Sequence, residues 1–106
     1  MPHAPRIELH PINQPVQVHV EGTLLADSTN ALELRERGYP PRHYIPRDHV
    51  RMDLLTLSET TTHCPFKGNT VYFSLGYNKD IAWSYEQPVE GMETIAGRVA
   101  FGKEEK

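Results

Sequence analysis

Val16, Val18 and Val20 alternate with Gln17 and His19, a period of two that marks a strand with one buried face. Glu21 and Gly22 form a turn, and Thr23 to Ala26 returns as a second strand before Asp27, Ser28, Thr29 and Asn30 break the run. The stretch "ALELRERG" is made of good helix formers, yet Leu32 and Leu34 alternate with charges and Gly38 stops it early, which favours a strand. Pro40, Pro41 and Pro46 make residues 39–47 irregular and stiff. "VRMDLLTL" reads as a strand, "TTTHCPFKG" as a loop, and "GRVAF" as a short closing strand. Residues 1–15 hold four prolines and little periodicity, so an extended N-terminal arm is expected there. The sum is one all-β domain over residues 16–102, with no helix longer than about two turns, followed by a charged tail over residues 103–106.

The clearest hairpin joins "NTVYFSLGY" to "DIAWSYE", with its turn expected at Asn78 and Lys79. That turn pairs Ser74 with Trp83 and Tyr72 with Tyr85. One face then carries Tyr72, Trp83 and Tyr85 beside the small Ser74 and Gly76, and the other carries Val71, Phe73, Leu75 and Ala82. The second set is an ordinary core face. The first combines large rings with small residues, and its Trp and Tyr tips favour some contact with water, so a hollow is expected there.

Bulk properties remove several functional classes. A net charge of −3 with scattered lysines and arginines lacks the basic stripe of a nucleic-acid binder. No run approaches the roughly 18 apolar residues a membrane span needs. The opening residues lack the charged-then-apolar form of a secretory signal, and one cysteine makes no internal disulfide, so a cytoplasmic setting is expected. A homo-oligomer is compatible with all of this, and the sequence sets no oligomeric state.

From residue 44 onward, "YIPRDHV", "THCPFKG", "AWSYEQP" and "IAGRVAF" occur in order, with "ADS" at residues 26–28 before them. In these motifs the chain resembles domain-of-unknown-function family 427 over roughly residues 16–102. The resemblance implies a β-tent-like fold, antiparallel sheets meeting at an angle, related to the drug-binding domain of cereblon. It implies no established activity. Relatives of that fold staple their sheets with zinc held by two pairs of cysteines, and with Cys64 alone that structural zinc is not expected. Some family members carry a nucleotidyltransferase label. That chemistry needs paired carboxylates for two metal ions, whereas here Asp48 and Asp53 are isolated and no Asp-x-Asp occurs.

The loop around "THCPFKG" concentrates the remaining chemistry. Cys64 is the sole candidate nucleophile, but His63 beside it on an extended backbone points away, so His43 or His49 would have to approach through the fold. Cys64 with two histidines from His43, His49 and His63 is the corresponding metal reading, without the repeated short spacing that marks zinc sites. Lys67 is either a solvated cation at the tip of a tight turn or a group that meets an anion or carbonyl beside the aromatic face. Asp48 either caps a short helical turn or pairs with an arginine at a pocket rim.

The expectation that joins these readings is a small-molecule pocket with no cofactor. It lies between Tyr72, Trp83 and Tyr85 and the His63–Cys64–Lys67 loop, with Tyr44 and Asp48 nearby. A flat, polar-edged ligand, nucleobase-like or cyclic imide-like, suits it. An enzyme built on Cys64 and a protein-interaction module using an exposed sheet edge are the alternatives.

Overall fold

The computed structural model describes residues 7–65 and 67–102; the first six residues, Phe66 and the charged tail over 103–106 lie outside them. Among the described residues there are nine strands: β1 (Ile7–Ile12), β2 (Val16–Val20), β3 (Thr23–Ser28), β4 (Ala31–Glu36), β5 (Arg42–Tyr44), β6 (Thr56–Cys64), β7 (Gly68–Leu75), β8 (Asn78–Ser84) and β9 (Val99–Phe101). The helical elements are three-residue 3-10 turns at Arg47–His49, Met52–Leu54 and Glu93–Ile95. The all-β expectation holds.

The strands form an antiparallel sheet β1-β4-β5, a four-stranded antiparallel sheet β6-β7-β8-β9 and the hairpin β2-β3. One isolated bridge, Ile45 to Val99, joins the first two sheets through a reciprocal pair of backbone hydrogen bonds, each 2.9 Å. Strand alternation then sorts the apolar residues onto two sides. Val18, Val20, Leu25, Ile45, Phe73, Ala82, Val99 and Phe101 make one buried cluster, under the β2-β3 hairpin. Leu32, Leu34, Tyr44, Tyr85, Met92, Ile95 and Ala100 make the other, with Cys64 and Trp83 packed against it. Neighbours in sequence fall on opposite sides, as with Tyr44 and Ile45 or Ala100 and Phe101, because strand side chains alternate.

Four segments differ from the sequence expectation. Ile7–Ile12 is not a free arm but strand β1, paired along its length with β4. Pro11 is tolerated because β1 is an edge strand, where a missing N–H leaves no ladder bond unmade on the open side. Arg42–Tyr44, set between Pro41 and Pro46, is strand β5 against β4. The threonine-rich stretch read as loop is the second half of β6. Both its faces are largely exposed, which hides the apolar alternation, while threonine's branched side chain suits extended backbone. Most of "VRMDLLTL" is instead irregular. Leu54 and Leu55 donate back to the Arg51 and Met52 carbonyls, and Val50, Met52 and Leu55 pack onto the first cluster at uneven spacing.

The β7-β8 turn lies at Gly76–Tyr77, with Leu75 paired to Asn78, rather than at Asn78–Lys79. Farther along, Phe73 faces Ala82 and Tyr72 faces Trp83, so two extra β8 residues are absorbed opposite Ser74. Asp80 sits in this bulge at φ 57, and its amide is satisfied by Ser74 Oγ at 3.0 Å. Tyr72 therefore pairs with Trp83, not Tyr85. The slip is two residues, an even number, so Tyr72, Trp83 and Tyr85 keep one face and Val71, Phe73 and Ala82 the other, while Ile81, in the bulge, turns into the first cluster with Ala82.

Candidate functional site

The face of β7-β8 that carries Tyr72 and Trp83 borders a cavity of about 340 Å³. Leu34, Glu36, Arg42 and Tyr44 line it from β4 and β5, and Cys64, Lys67, Tyr72, Trp83 and Tyr85 from the opposing sheet and its loops. Tyr39, Pro40 and Asp80 complete the lining. Strand parity explains the membership. Leu32, Leu34 and Glu36 share one face of β4; Arg42 and Tyr44 share one face of β5; Cys64 and Tyr72 lie on the same face of β6-β7.

Lys67 reaches across this cavity to β4. Its ammonium lies 2.7 Å from Glu36 Oε1, and the two side chains are only 13% and 8% exposed. The same ammonium stands 5.5 Å from the centre of the Tyr85 ring. Burial works against the lysine's charge, but the hydrogen bond to Glu36 and the neighbouring tyrosine and carboxylate oxygens outweigh it, so its pKa is raised above lysine's usual range. The loop that presents Lys67 is anchored on its far side. Val89 N–H donates to the Lys67 carbonyl at 2.9 Å, and Gly68 bridges Pro88. Gly68 has φ 121, and a Cβ there would stand 3.1 Å from Gln87 O and Pro88 Cα. Only glycine permits both this conformation and this approach.

The aromatic wall is tied to the buried core by Tyr44. Trp83 Nε1–H donates to Tyr44 Oη at 3.1 Å, and the Tyr44 and Tyr85 rings stand 6.2 Å apart. Burial pushes the Tyr44 hydroxyl up to about 12, against the opposing effect of the indole hydrogen bond. Tyr72 and Trp83 are tilted neighbours at 6.4 Å, and Tyr72 Oη is 3.0 Å from Thr62 Oγ1. The Arg42 guanidinium lies over the Trp83 ring at 5.5 Å.

Of the residues singled out in the sequence, Tyr44, Cys64, Lys67, Tyr72, Trp83 and Tyr85 meet in this cavity. His63 and Asp48 do not. His63 is exposed on the opposite face of β6, where its Nδ1 is 2.7 Å from Asn69 Oδ1. Asp48 lies in the 3-10 turn Arg47–His49, whose N-cap is Pro46 without a side-chain cap, so the capping role is overturned. It borders a separate hollow with Arg47, Gly97 and Arg98. Lys67 is not a solvated loop tip: it meets an anion, and the anion is the protein's own Glu36. Sequence reading missed Glu36 and Arg42. The signal was available in β4 itself, since a strand with Leu32 and Leu34 inward puts Glu36 inward too, and an inward carboxylate needs a cation.

No histidine lines the cavity among the described residues, and His49 is engaged elsewhere, 2.7 Å from Ser28 Oγ. Nor do three or more of the described His, Cys, Asp and Glu residues come together in a geometry that would hold a metal ion. No described helix is long and apolar enough to cross a membrane.

Fold and site define a small all-β domain of antiparallel sheets around an aromatic, charge-lined cavity. The chain belongs to the family described as Domain of unknown function (DUF427), whose profile matches residues 8–106. No curated protein matches it.

Proposed function

We propose that this domain binds a small flat ligand, nucleobase-like or cyclic imide-like, in the cavity between Tyr72, Trp83, Tyr85 and the Lys67 loop. One observation carries the reading. The cavity of about 340 Å³ has aromatic walls and a few fixed polar groups, Tyr44 Oη, Lys67 Nζ and Arg42, the composition expected of a small-molecule site rather than of a packing defect. Its size suits one or two rings. Trp83 and Tyr72 supply stacking area, and their orientation is held by hydrogen bonds to Tyr44 and Thr62. The enzyme reading on Cys64 gains no comparable support, because no histidine among the described residues lines the cavity with it.

Trp83 is the sole tryptophan, so its indole N–H gives one peak in a nitrogen–proton NMR spectrum. Titration with uracil and with succinimide is expected to move that peak saturably, with dissociation constants at or below about 1 mM. Tyr72→Ala, at a half-exposed position, is expected to weaken the effect while the rest of the spectrum keeps its dispersion. An indole peak that stays in place with both compounds removes the proposal.

A further inference from the structure

The charges lining the cavity differ in what already holds them. Lys67 is neutralised by Glu36 at 2.7 Å, and Asp80 accepts a hydrogen bond from Thr60 Oγ1, also at 2.7 Å. Arg42 is different. Among the described residues, Arg35, Arg47 and Arg51 each hold a carboxylate. Arg42 holds none, and its one hydrogen bond, from Nη1 to the Gly102 carbonyl, is long at 3.4 Å. A guanidinium presents five N–H donors in a planar fork that matches a carboxylate. Here the fork is parked over the Trp83 ring, beside the stacking surface.

A second donor faces the same space. The indole N–H can only donate, so Tyr44 Oη accepts from Trp83, and the tyrosine's own proton has no acceptor among the described residues. Burial holds that proton on the oxygen through the physiological range. Lys67 has further N–H donors beyond the one given to Glu36. Among the described residues, donors on Arg42, Tyr44 and Lys67 thus face the cavity unspent beside the single unpartnered acceptor Asp80 Oδ1, and of its two cations only Lys67 forms an ion pair.

Resting on the ligand-binding reading above, we infer that the occupant is a planar ring acid: a flat ring with a carboxylate substituent held by Arg42, its face against Trp83 and Tyr72, and a ring carbonyl accepting from Tyr44. The nearby carboxylates of Glu36 and Asp80 oppose an anion in part, so the preference for the acid over its neutral parent is moderate rather than absolute.

Uracil and orotate, its ring carboxylate, differ by the group in question. Calorimetric titration of the whole chain is expected to give orotate the tighter binding by about tenfold or more. In Arg42→Met the preference for orotate over uracil is expected to fall to about one, and in Arg42→Lys it is expected to be intermediate. Added salt should weaken orotate and leave uracil unaffected, a reading on the unaltered protein that does not depend on either variant folding. Equal affinity for the two compounds, or a preference that survives Arg42→Met and added salt, overturns the acid inference and leaves the ligand reading standing. No heat and no Trp83 shift with either compound overturns both.

Discussion

Replacing Lys67 with methionine keeps the length of the side chain and removes its charge. Glu36, whose side chain is 8% exposed, then stays in place without its cation. Breaking a buried pair from one side costs about 3–5 kcal/mol, because the remaining charge is desolvated and unpaired. A domain of this size has a total stability of about 5–15 kcal/mol, so the loss is a large share of what holds it folded. At roughly 4–8 °C per kcal/mol, the midpoint should fall by more than about 10 °C. The double variant Glu36→Leu/Lys67→Met should recover most of the loss, since well-packed apolar groups replace a buried pair at little net cost. Urea unfolding followed by far-ultraviolet circular dichroism measures all three chains and closes the double-mutant cycle. A Lys67→Met cost under about 1 kcal/mol, or simple additivity in the double variant, would refute the claim that this pair is a buried, mutually dependent unit.

Gly68→Ala should cost about 1–3 kcal/mol through its left-handed backbone and its approach to residues 87–89; a neutral effect in urea unfolding would mean that segment yields freely. Alkaline pH should weaken the fold. The pKa of Tyr44 is raised to about 12 from 10.0, and that of Lys67 is raised above its ordinary 10.5. Each contribution is therefore complete below the unfolded value and is lost as pH rises through the folded one. Tyr44→Phe should flatten that decline in stability above pH 10.0, and an unchanged slope would contradict it. Saturating orotate should slow alkylation of Cys64 by iodoacetamide, since the thiol lines the same cavity; an unchanged rate would place the ligand elsewhere.

Strands with one wet and one dry face announced themselves. Val16–Val20 alternates, Leu32 and Leu34 alternate with charges in Ala31–Glu36, and the hairpin's aromatic face followed from its parity even though the turn was placed two residues late. Gly76, at φ 56, supplies the positive angle that fixes the turn, while Asn78 and Lys79 only resemble turn residues by type. Strands lacking alternation stayed hidden. β6 is polar on both faces, and β1 and β5 sit among prolines, so only the pairing with β7 and β4 defines them. Six of the cavity residues were legible because aromatic rings and the cysteine-lysine loop are conspicuous. Glu36 was passed over although the parity of Leu32 and Leu34 pointed to it, and Arg42 stayed hidden because its strand lies between prolines and reads as irregular.

The Ile45–Val99 bridge has a mechanical consequence. Among the described residues it provides the only backbone hydrogen bonds between the two larger sheets; on the far side of the cavity they are held by side chains, chiefly Lys67 on Glu36. The arrangement is that of a hinged locket. A fixed pin lies along one edge and a charged clasp along the other, and the aromatic rings form the inner lining. Opening it strains no strand ladder, but it breaks the clasp, the Trp83–Tyr44 and Arg42–Gly102 hydrogen bonds and the apolar contacts behind them. On the proposed ligand-binding reading, the ion pair that helps to hold the fold is expected also to help set how readily the ligand enters and leaves.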